Sequence, residues 1–194
     1  MAALWLRSVF HDAGTYDSTT TPTTGGLDAS LALAAEYDDP ANDGLAAGLA
    51  TRFMPVANNI SKADFIALGG VVAVAHCGGP QAAYAAGRAD ASVPNDLARL
   101  PSNTALPESD VKAAFARMGL DAVDMLVLIT GSHSLGGAHA AISPNLTSLA
   151  FDPFDDTPGV FDNHIFQRVL TGKCVVPIDC KLAEDPELLP YIQT

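Results

Sequence analysis

The chain has 194 residues, and its 10 Lys and Arg against 22 Asp and Glu give a net charge of −12. A chain of this length can form one domain with a substantial core. The acidic balance argues against a nucleic-acid or anionic-membrane partner. The sequence contains no run of eighteen apolar residues of the kind that spans a membrane.

The residues from Ala2 to Gly14 predict a helix that begins almost at the first residue. Arg7 and His11 are four residues apart on it, so they share a face. Such a pair is commonly solvent-exposed. If it faces a bound oxidant instead, His11 can act as a general base and then as a general acid, and Arg7 can stabilise negative charge that develops on oxygen.

Further helices are expected along the chain, and neither an internal repeat nor a strand pattern of substance is present. The predicted helices cover residues 27–37, 42 to about 58, 63–77, 107–118 (ended by Gly119), the run opened by Asp121, and 163–170. Residues 61–64 form a candidate capping box for the third of these, and His76 near its end is expected to be a core histidine. The sequence therefore predicts a mainly α fold.

The apolar stretch from Leu126 to His139 carries two histidines, His133 and His139, six residues apart. A buried imidazole needs a partner for each ring nitrogen. A metal on one nitrogen and a carboxylate on the other would supply both partners. A histidine of the core would instead bond to backbone groups, and both interpretations are open at this point.

Two segments gather oxygen atoms of the kind that calcium prefers. The first contains Gly26, Asp28 and Ser30, with Asp12 as a further contributor, and the second covers residues 151–162. The alternatives are a capped helix N-terminus for the first segment and a solvated loop for the second.

The sequence contains three cysteines. Cys174 and Cys180 are close enough to close a small loop, which leaves Cys77 unpaired. This pattern is weakly typical of an oxidising compartment. No signal peptide is recognisable before the first helix.

Five short motifs follow one another along the chain. They are Arg7-x-x-Phe10-His11-Asp12, Gly87-Arg88-x-Asp90, Gly131-Ser132-His133-Ser134-Leu135-Gly136, Phe161-Asp162-Asn163 and Pro177-Ile178-Asp179. In this order they resemble the signatures of the plant-type haem peroxidase superfamily, over residues 4 to about 192. The resemblance implies a single mainly α domain of residues 1–194 with the haem-dependent peroxidase fold. In that fold, haem b lies between a distal half (about 1–105) and a proximal half (about 106–194).

The resemblance also implies roles for individual residues. His133 matches the axial iron ligand, and Asp179 matches the carboxylate that accepts its other N–H. Arg7 and His11 match the distal charge-stabilising and acid–base pair, and Asn42 matches the side chain that fixes the tautomer of the distal histidine. Haem contacts are expected from Phe10, Leu135, Gly136, Gly137, His139 and Phe154.

Two calcium sites are implied as well. The distal site would be formed by Asp12, Gly26, Asp28 and Ser30. The proximal site would be formed by Ser134, Asp155, Thr157, the carbonyl group of Val160, and Asp162.

The chain combines features of two groups within the superfamily. Phe10 and Phe154 occupy positions that are tryptophan in the intracellular cytochrome c and ascorbate peroxidases, whereas Pro177-x-Asp179 resembles those intracellular enzymes. The combination resembles a fungal class II-like or hybrid peroxidase, and an extracellular location is expected. The family usually has additional helices at both ends, which indicates a truncated gene product.

Three specialised sites for the reducing substrate are missing by comparison with the family. His139 stands where manganese-oxidising relatives have a carboxylate, Leu128 where lignin-oxidising relatives have a tryptophan, and Ile142 where ascorbate peroxidases have an arginine. The resemblance therefore implies a monomeric enzyme that reduces hydrogen peroxide and oxidises small phenolic-type donors at the haem edge. The alternatives are a catalytically poor haem- or calcium-binding remnant and a non-haem metal hydrolase built on His11, Asp12 and His133.

Overall fold

The computed structural model describes residues 1–45, 60–102 and 106–193. The described residues form two compact units: unit 1 contains 1–45, 60–76 and 80–102, and unit 2 contains 77–79 and 106–193. Secondary structure in both is mainly helical, with one two-stranded sheet in unit 2. Within the described ranges, no helix has the length and apolar character needed to cross a membrane.

Unit 1 is built on two long helices that pack against each other. Its helices are α1 (Ala2–Ala13), α2 (Ala34–Tyr37) and α3 (Lys62–His76), and its short 3₁₀ turns are Ser30–Ala32, Pro40–Asn42 and Leu97–Arg99. Where α1 meets α3, Gly69 lies against the ring of Trp5, since a Cβ added there would be 2.2 Å from Trp5 Cε3. Trp5 also packs edge-on against Phe65, with ring centroids 5.3 Å apart.

The predicted helix over 27–37 does not form as one element. Ala29 has a φ of 62° and Leu33 is extended, so only the last four residues are α-helical. The cause lies in another helix, because the Asp12 carboxylate accepts the backbone N–H groups of Ala29 and Leu31 at 2.8 and 3.0 Å. A continuous helix would need the N–H of Leu31 for its own hydrogen-bond ladder. Of the helix predicted from 42 to about 58, residues 46–59 lie outside the described residues.

Helix α3 forms where the apolar run predicts it, but its first turn is capped differently from the expected box. The Ser61 hydroxyl accepts the N–H of Asp64 at 3.0 Å, as predicted. The Asp64 carboxylate instead accepts the N–H groups of Gly87 and Arg88, and it forms a 3.0 Å ion pair with Arg88. Part of the Gly87-Arg88-x-Asp90 motif thus fastens an irregular segment to α3. His76 is exposed, so the prediction of a core histidine is wrong.

Unit 2 carries the remaining elements. They are α4 (Glu108–Met118), α5 (Ala122–Ile129), a 3₁₀ turn (Gly131–Ser134), β1 (Gly137–Ala138), β2 (Asp152–Pro153), α6 (His164–Val169), α7 (Pro177–Glu184) and α8 (Leu189–Ile192). As predicted, Gly119 ends α4 in the left-handed conformation, with a φ of 84°, and Asp121 caps α5. The antiparallel pair β1–β2 is too short to leave a strand pattern in the sequence.

Two links tie the helices of unit 2 together. Lys112 on α4 forms ion pairs with Glu108 and with Asp185, the residue that follows α7. Cys174 and Cys180, which are close enough in the sequence to close a small loop, form a disulfide that encloses the first turn of α7. Cys77 is a free cysteine.

Candidate active site

The first candidate group lies in unit 1, on α1 and on the 3₁₀ turn that contains Asn42. Helical spacing brings Arg7 beside His11, and the Arg7 Nε–H donates to His11 Nε2 at 3.2 Å. His11 Nδ1 lies 2.7 Å from Asn42 Oδ1. The amide of Asn42 is itself oriented, because its Nδ2 donates to the carbonyl oxygen of Glu36 at 2.7 Å. Asn42 Oδ1 can only accept, so His11 carries its proton on Nδ1, and the lone pair of Nε2 accepts the N–H of Arg7.

Burial determines the charge of this histidine. Desolvation and the neighbouring positive charge of Arg7 lower the pKa of His11 to about 3, although the hydrogen bond to Asn42 acts in the opposite direction. His11 is therefore neutral at neutral pH and can accept a proton on Nε2. The Arg7 guanidinium is held by the carbonyl oxygens of Asp43 and Ala41, at 2.7 and 3.3 Å. Phe10 stands next to His11, with ring centroids 6.3 Å apart.

The second candidate group lies in unit 2, where the 3₁₀ turn after α5 carries His133. His133 Nδ1 is 2.8 Å from Asp179 Oδ2 on α7. Burial lowers the pKa of His133, but the charge of Asp179 and the hydrogen bond to it outweigh this effect and raise the pKa above its usual value. Because Nδ1 serves Asp179, Nε2 is the nitrogen available to a metal. The arrangement is the carboxylate–histidine pair that orients metal ligands in proteins.

Thr130 belongs to the candidate site, and the sequence analysis did not single it out. It is buried at the end of α5, and its hydroxyl donates to Asp179 Oδ1 at 2.9 Å. Both carboxylate oxygens of Asp179 are therefore hydrogen bonded. The only signal in the sequence was a threonine three residues before His133, and a threonine at the end of a helix occurs for many structural reasons.

The β1–β2 pair places an aromatic ring against His133. Phe154 donates its N–H to the carbonyl oxygen of Gly136 at 3.1 Å, and its ring centroid lies 4.6 Å from that of His133. Gly137 has no room for a side chain, since a Cβ there would be 2.4 Å from the carbonyl oxygen of Asp152. Leu135 is buried beside this turn. The segment is thus tightly packed, and the haem contacts expected from Leu135, Gly136, Gly137 and Phe154 stay predictions.

His139 lies further along the same segment and is exposed. Its Nδ1 pairs with the carbonyl oxygen of Ala150 at 2.9 Å, and its ring stacks on that of Phe151 at 5.0 Å. Its expected contact with a haem propionate stays a prediction.

The predicted proximal calcium ligands come together in unit 2. The Ser134 hydroxyl donates to the carbonyl oxygen of Val160 at 3.2 Å and accepts the N–H of Asp162 at 2.9 Å. The Thr157 hydroxyl bonds to the Asp162 carboxylate at 3.0 Å. Asp155 is fully buried, and its Oδ2 has no hydrogen-bond partner. Burial, and the nearby negative charges of Asp162 and Asp156, raise the pKa of Asp155.

The predicted distal calcium ligands are arranged differently. Each of their oxygens accepts a hydrogen bond from the protein itself. Backbone N–H groups serve the Asp12 carboxylate, as described above, and the N–H of Asp28 donates to the carbonyl oxygen of Gly26 at 2.9 Å. The Asn95 amide donates to Asp28 and to Ser30. This set of donors does not fit a bound cation, which needs the same lone pairs. Among the described residues, no three His, Cys, Asp or Glu side chains form a metal-binding group.

Comparison with known proteins decides the family. The family model described as peroxidase matches residues 1–194. The chain belongs to the plant-type haem peroxidase superfamily. The mainly α fold predicted from the sequence is confirmed, with the haem peroxidase fold as its class.

Curated relatives of this peroxidase chain include several plant proteins. It is 37% identical to L-ascorbate peroxidase 3 of Arabidopsis thaliana over 199 residues, which cover 99% of the chain and 66% of the relative. It is 37% identical to the probable peroxisomal L-ascorbate peroxidase 4 of Oryza sativa subsp. japonica, covering 98% and 65%. It is 34% identical to the cytosolic L-ascorbate peroxidase 2 of Arabidopsis thaliana, covering 99% and 75%. The chain spans about two thirds of the length of the first two.

These relatives overturn one expectation. The sequence features led us to expect an extracellular protein, but the names of the relatives place them in the cytosol or the peroxisome, so that expectation is wrong. The same names are those of plant ascorbate peroxidases and give no support to a fungal, secreted origin. The phenylalanines at positions 10 and 154 were therefore a poor guide to location.

Proposed function

We propose that this chain is a haem peroxidase that reduces hydrogen peroxide and oxidises a small organic donor. The observation that carries the proposal is the contrast between two histidines. His133 bonds through Nδ1 to a carboxylate, whereas His11 bonds through Nδ1 to a neutral amide. An anionic partner strengthens a histidine as an iron ligand, and a neutral partner leaves a histidine free to take up and release a proton.

The residues of unit 2 fit haem as the cofactor. His133 Nε2 would bind the iron, and the ring of Phe154 beside it would pack against the macrocycle. When bound, haem supplies the two-electron redox chemistry that peroxide reduction requires. Asp179 would keep the proton of His133 on Nδ1 and increase the electron donation from Nε2.

The residues of unit 1 would act on the peroxide itself. When peroxide takes the place of the Arg7 Nε–H as the partner of His11 Nε2, Nε2 would accept the proton of one peroxide oxygen and return it to the other, which leaves as water. The Arg7 guanidinium would stabilise the negative charge that develops while the O–O bond breaks. Asn42 would hold His11 in the tautomer that makes Nε2 the base. Two protons and two electrons, the latter from the donor, complete the reduction to two molecules of water.

The donor is the finer part of the proposal. The missing arginine at Ile142 favours small phenolic compounds over ascorbate, whereas the relatives are named for ascorbate. Steady-state assays with hydrogen peroxide and equal amounts of haem-loaded protein would compare a phenol with ascorbate. We expect the phenol to be oxidised faster, and a saturable ascorbate activity that exceeds it would contradict the assignment of the donor.

Absorbance spectra test the whole proposal. Purified protein mixed with haem should develop a Soret band, and hydrogen peroxide should shift it. A band that peroxide leaves unchanged would favour the alternative, a catalytically poor haem-binding remnant. Protein that fails to take up haem would contradict both.

We also propose that the proximal cluster binds one cation, for which calcium is the first candidate. Asp155 Oδ2 is a buried oxygen without a partner, next to a second carboxylate, and a cation would compensate both charges. Added calcium should raise the melting temperature, and a chelator should lower it. Asp155→Asn should abolish the response, whereas Asp156→Asn, at an exposed neighbour, should retain it. A potassium titration identifies the preferred ion, and no response to either ion would contradict the proposal.

A further inference from the structure

Asn95 lies in the irregular segment of unit 1, residues 80–96, which precedes the 3₁₀ turn Leu97–Arg99. It forms hydrogen bonds through both its backbone and its side chain. Its N–H donates to Glu36 Oε1. Its Nδ2 amide group donates to Asp28 Oδ1 and Oδ2, at 3.1 and 3.2 Å, and to Ser30 Oγ at 2.8 Å. Carboxylate oxygens only accept hydrogen bonds, so the NH₂ end of the amide has to face them. One asparagine therefore joins the distal oxygen cluster (Asp12, Gly26, Asp28, Ser30) to Glu36.

The Asn95 amide occupies the position that a cation would need. A cation and an NH₂ group both seek the lone pairs of Asp28 and Ser30, and the amide already holds them. The other oxygens of the cluster are bonded to backbone N–H groups of the same unit. The four residues of the cluster thus have their own donors, whereas Asp155 Oδ2 in the proximal cluster has none; of the carboxylate oxygens beside the distal cluster, Glu36 Oε2 is likewise buried without a hydrogen-bond partner.

Glu36 connects Asn95 to the candidate base. Glu36 is buried, and its carboxylate is held by the N–H of Asn95 while its carbonyl oxygen accepts Nδ2 of Asn42. Asn42 in turn holds His11. The segment is also fastened independently, because the N–H of Ala91 donates to the carbonyl oxygen of Asp28 at 2.7 Å. A change in the Asn95 side chain can therefore be made without releasing the whole segment.

We propose that Asn95 is a positioning residue for His11, and that its side-chain amide replaces a cation in the distal oxygen cluster. The first half rests on the proposed function, since it assumes that His11 acts on peroxide. The second half stands on the hydrogen bonds alone. It assigns a role to a residue that lies 59 positions from Glu36 and belongs to none of the sequence motifs.

The substitution Asn95→Asp tests both halves. It keeps the size of the side chain but replaces the NH₂ group, with its two N–H donors, by one acceptor oxygen beside Asp28 and Ser30. The resulting repulsion between carboxylates should draw the N–H of position 95 away from Glu36, while the rest of the segment stays in place, until a divalent cation binds. In a buffer that contains a calcium chelator, we expect Asn95→Asp to react with peroxide about tenfold more slowly than the wild type. The KM for the donor should be unchanged. Calcium at about 1 mM should restore the rate.

Asn95→Ala serves as the matched control, because it removes the amide without adding a charge. It should also be slow with peroxide, and calcium should not rescue it. A wild-type rate for Asn95→Ala would overturn the positioning role. The rate measurements are repeated in protein that also carries Asp155→Asn, so that calcium binding at the proximal cluster does not contribute to the measured rates. A wild-type rate that depends on calcium in that background would overturn the replacement of the cation.

Equilibrium dialysis provides a readout that needs neither haem nor activity. The wild type should bind at most one calcium ion, and Asp155→Asn should bind none. A calcium ion that remains bound in Asp155→Asn and is lost in Asp12→Asn would place an ion in the distal cluster and overturn the inference. If the wild type fails to react with peroxide while the expected dialysis result holds, the proposed function and the positioning role are contradicted, and the replacement of the cation by the Asn95 amide stands.

Discussion

Replacing His11 with leucine should slow the reaction with hydrogen peroxide by about 10²–10⁴-fold, the usual contribution of a positioned acid–base group. Leucine fills the same buried space on α1 but offers no lone pair for the peroxide proton. Because His133 and its carboxylate are untouched, haem uptake and the Soret band of the resting protein should be retained. Stopped-flow absorbance, following the peroxide-dependent shift of that band, gives the rate constant.

Acid should have a related effect on the wild type. The pKa of His11 is lowered to about 3, so a falling pH protonates Nε2 only as it approaches that value. The rate constant with peroxide should therefore be level through neutral and mildly acidic pH and fall as the pH nears about 3. His11→Leu should lack this inflection. A leucine variant with the rate and pH profile of the wild type would remove His11 from the reaction.

Replacing Asp179 with asparagine should raise the reduction potential of the haem iron and lower peroxidase activity by about 10–100-fold. The amide has nearly the shape of the carboxylate, so α7 should keep its fold. The amide lacks the negative charge that raises the pKa of His133. If its NH₂ group faces Nδ1, it donates a hydrogen bond there and disfavours the proton on Nδ1. Spectroelectrochemical titration of the haem-loaded protein measures the potential directly.

Thr130→Val is the matched control for that experiment. It removes a single hydrogen bond to the other Asp179 oxygen and preserves both the charge and the 2.8 Å contact with His133. The potential should change in the same direction as in Asp179→Asn, but by less. An unchanged potential in Asp179→Asn would show that Asp179 does not tune the iron.

Local signals in the sequence predicted much of the fold. Helix α1, the end of α4 at Gly119 and the cap of α5 at Asp121 depend on residues within a turn of one another. The segment 27–37 was predicted wrongly because its backbone N–H groups bond to Asp12, on another element. A pattern confined to the segment itself holds no information about that competitor.

The candidate site divides in the same way. Arg7 and His11 are one helical turn apart, so their pairing follows from spacing alone. The pair of His133 with Asp179 spans 46 positions, and the family resemblance was needed to propose it. Asn95 had neither advantage, because it lies in an irregular segment and its partners come from a distant part of the chain. Only the folded arrangement brings it to notice.

The disulfide between Cys174 and Cys180 bears on the histidine that we propose as the iron ligand. The bond closes a ring of the chain with a sequence separation of 6, and Asp179 is one of the residues within that ring. So short a ring adds only about 2 kcal/mol to global stability, but it limits the backbone positions open to the carboxylate that holds His133. Reduction of the Cys174–Cys180 bond would therefore release the chain one residue away from Asp179, the carboxylate that bonds to His133.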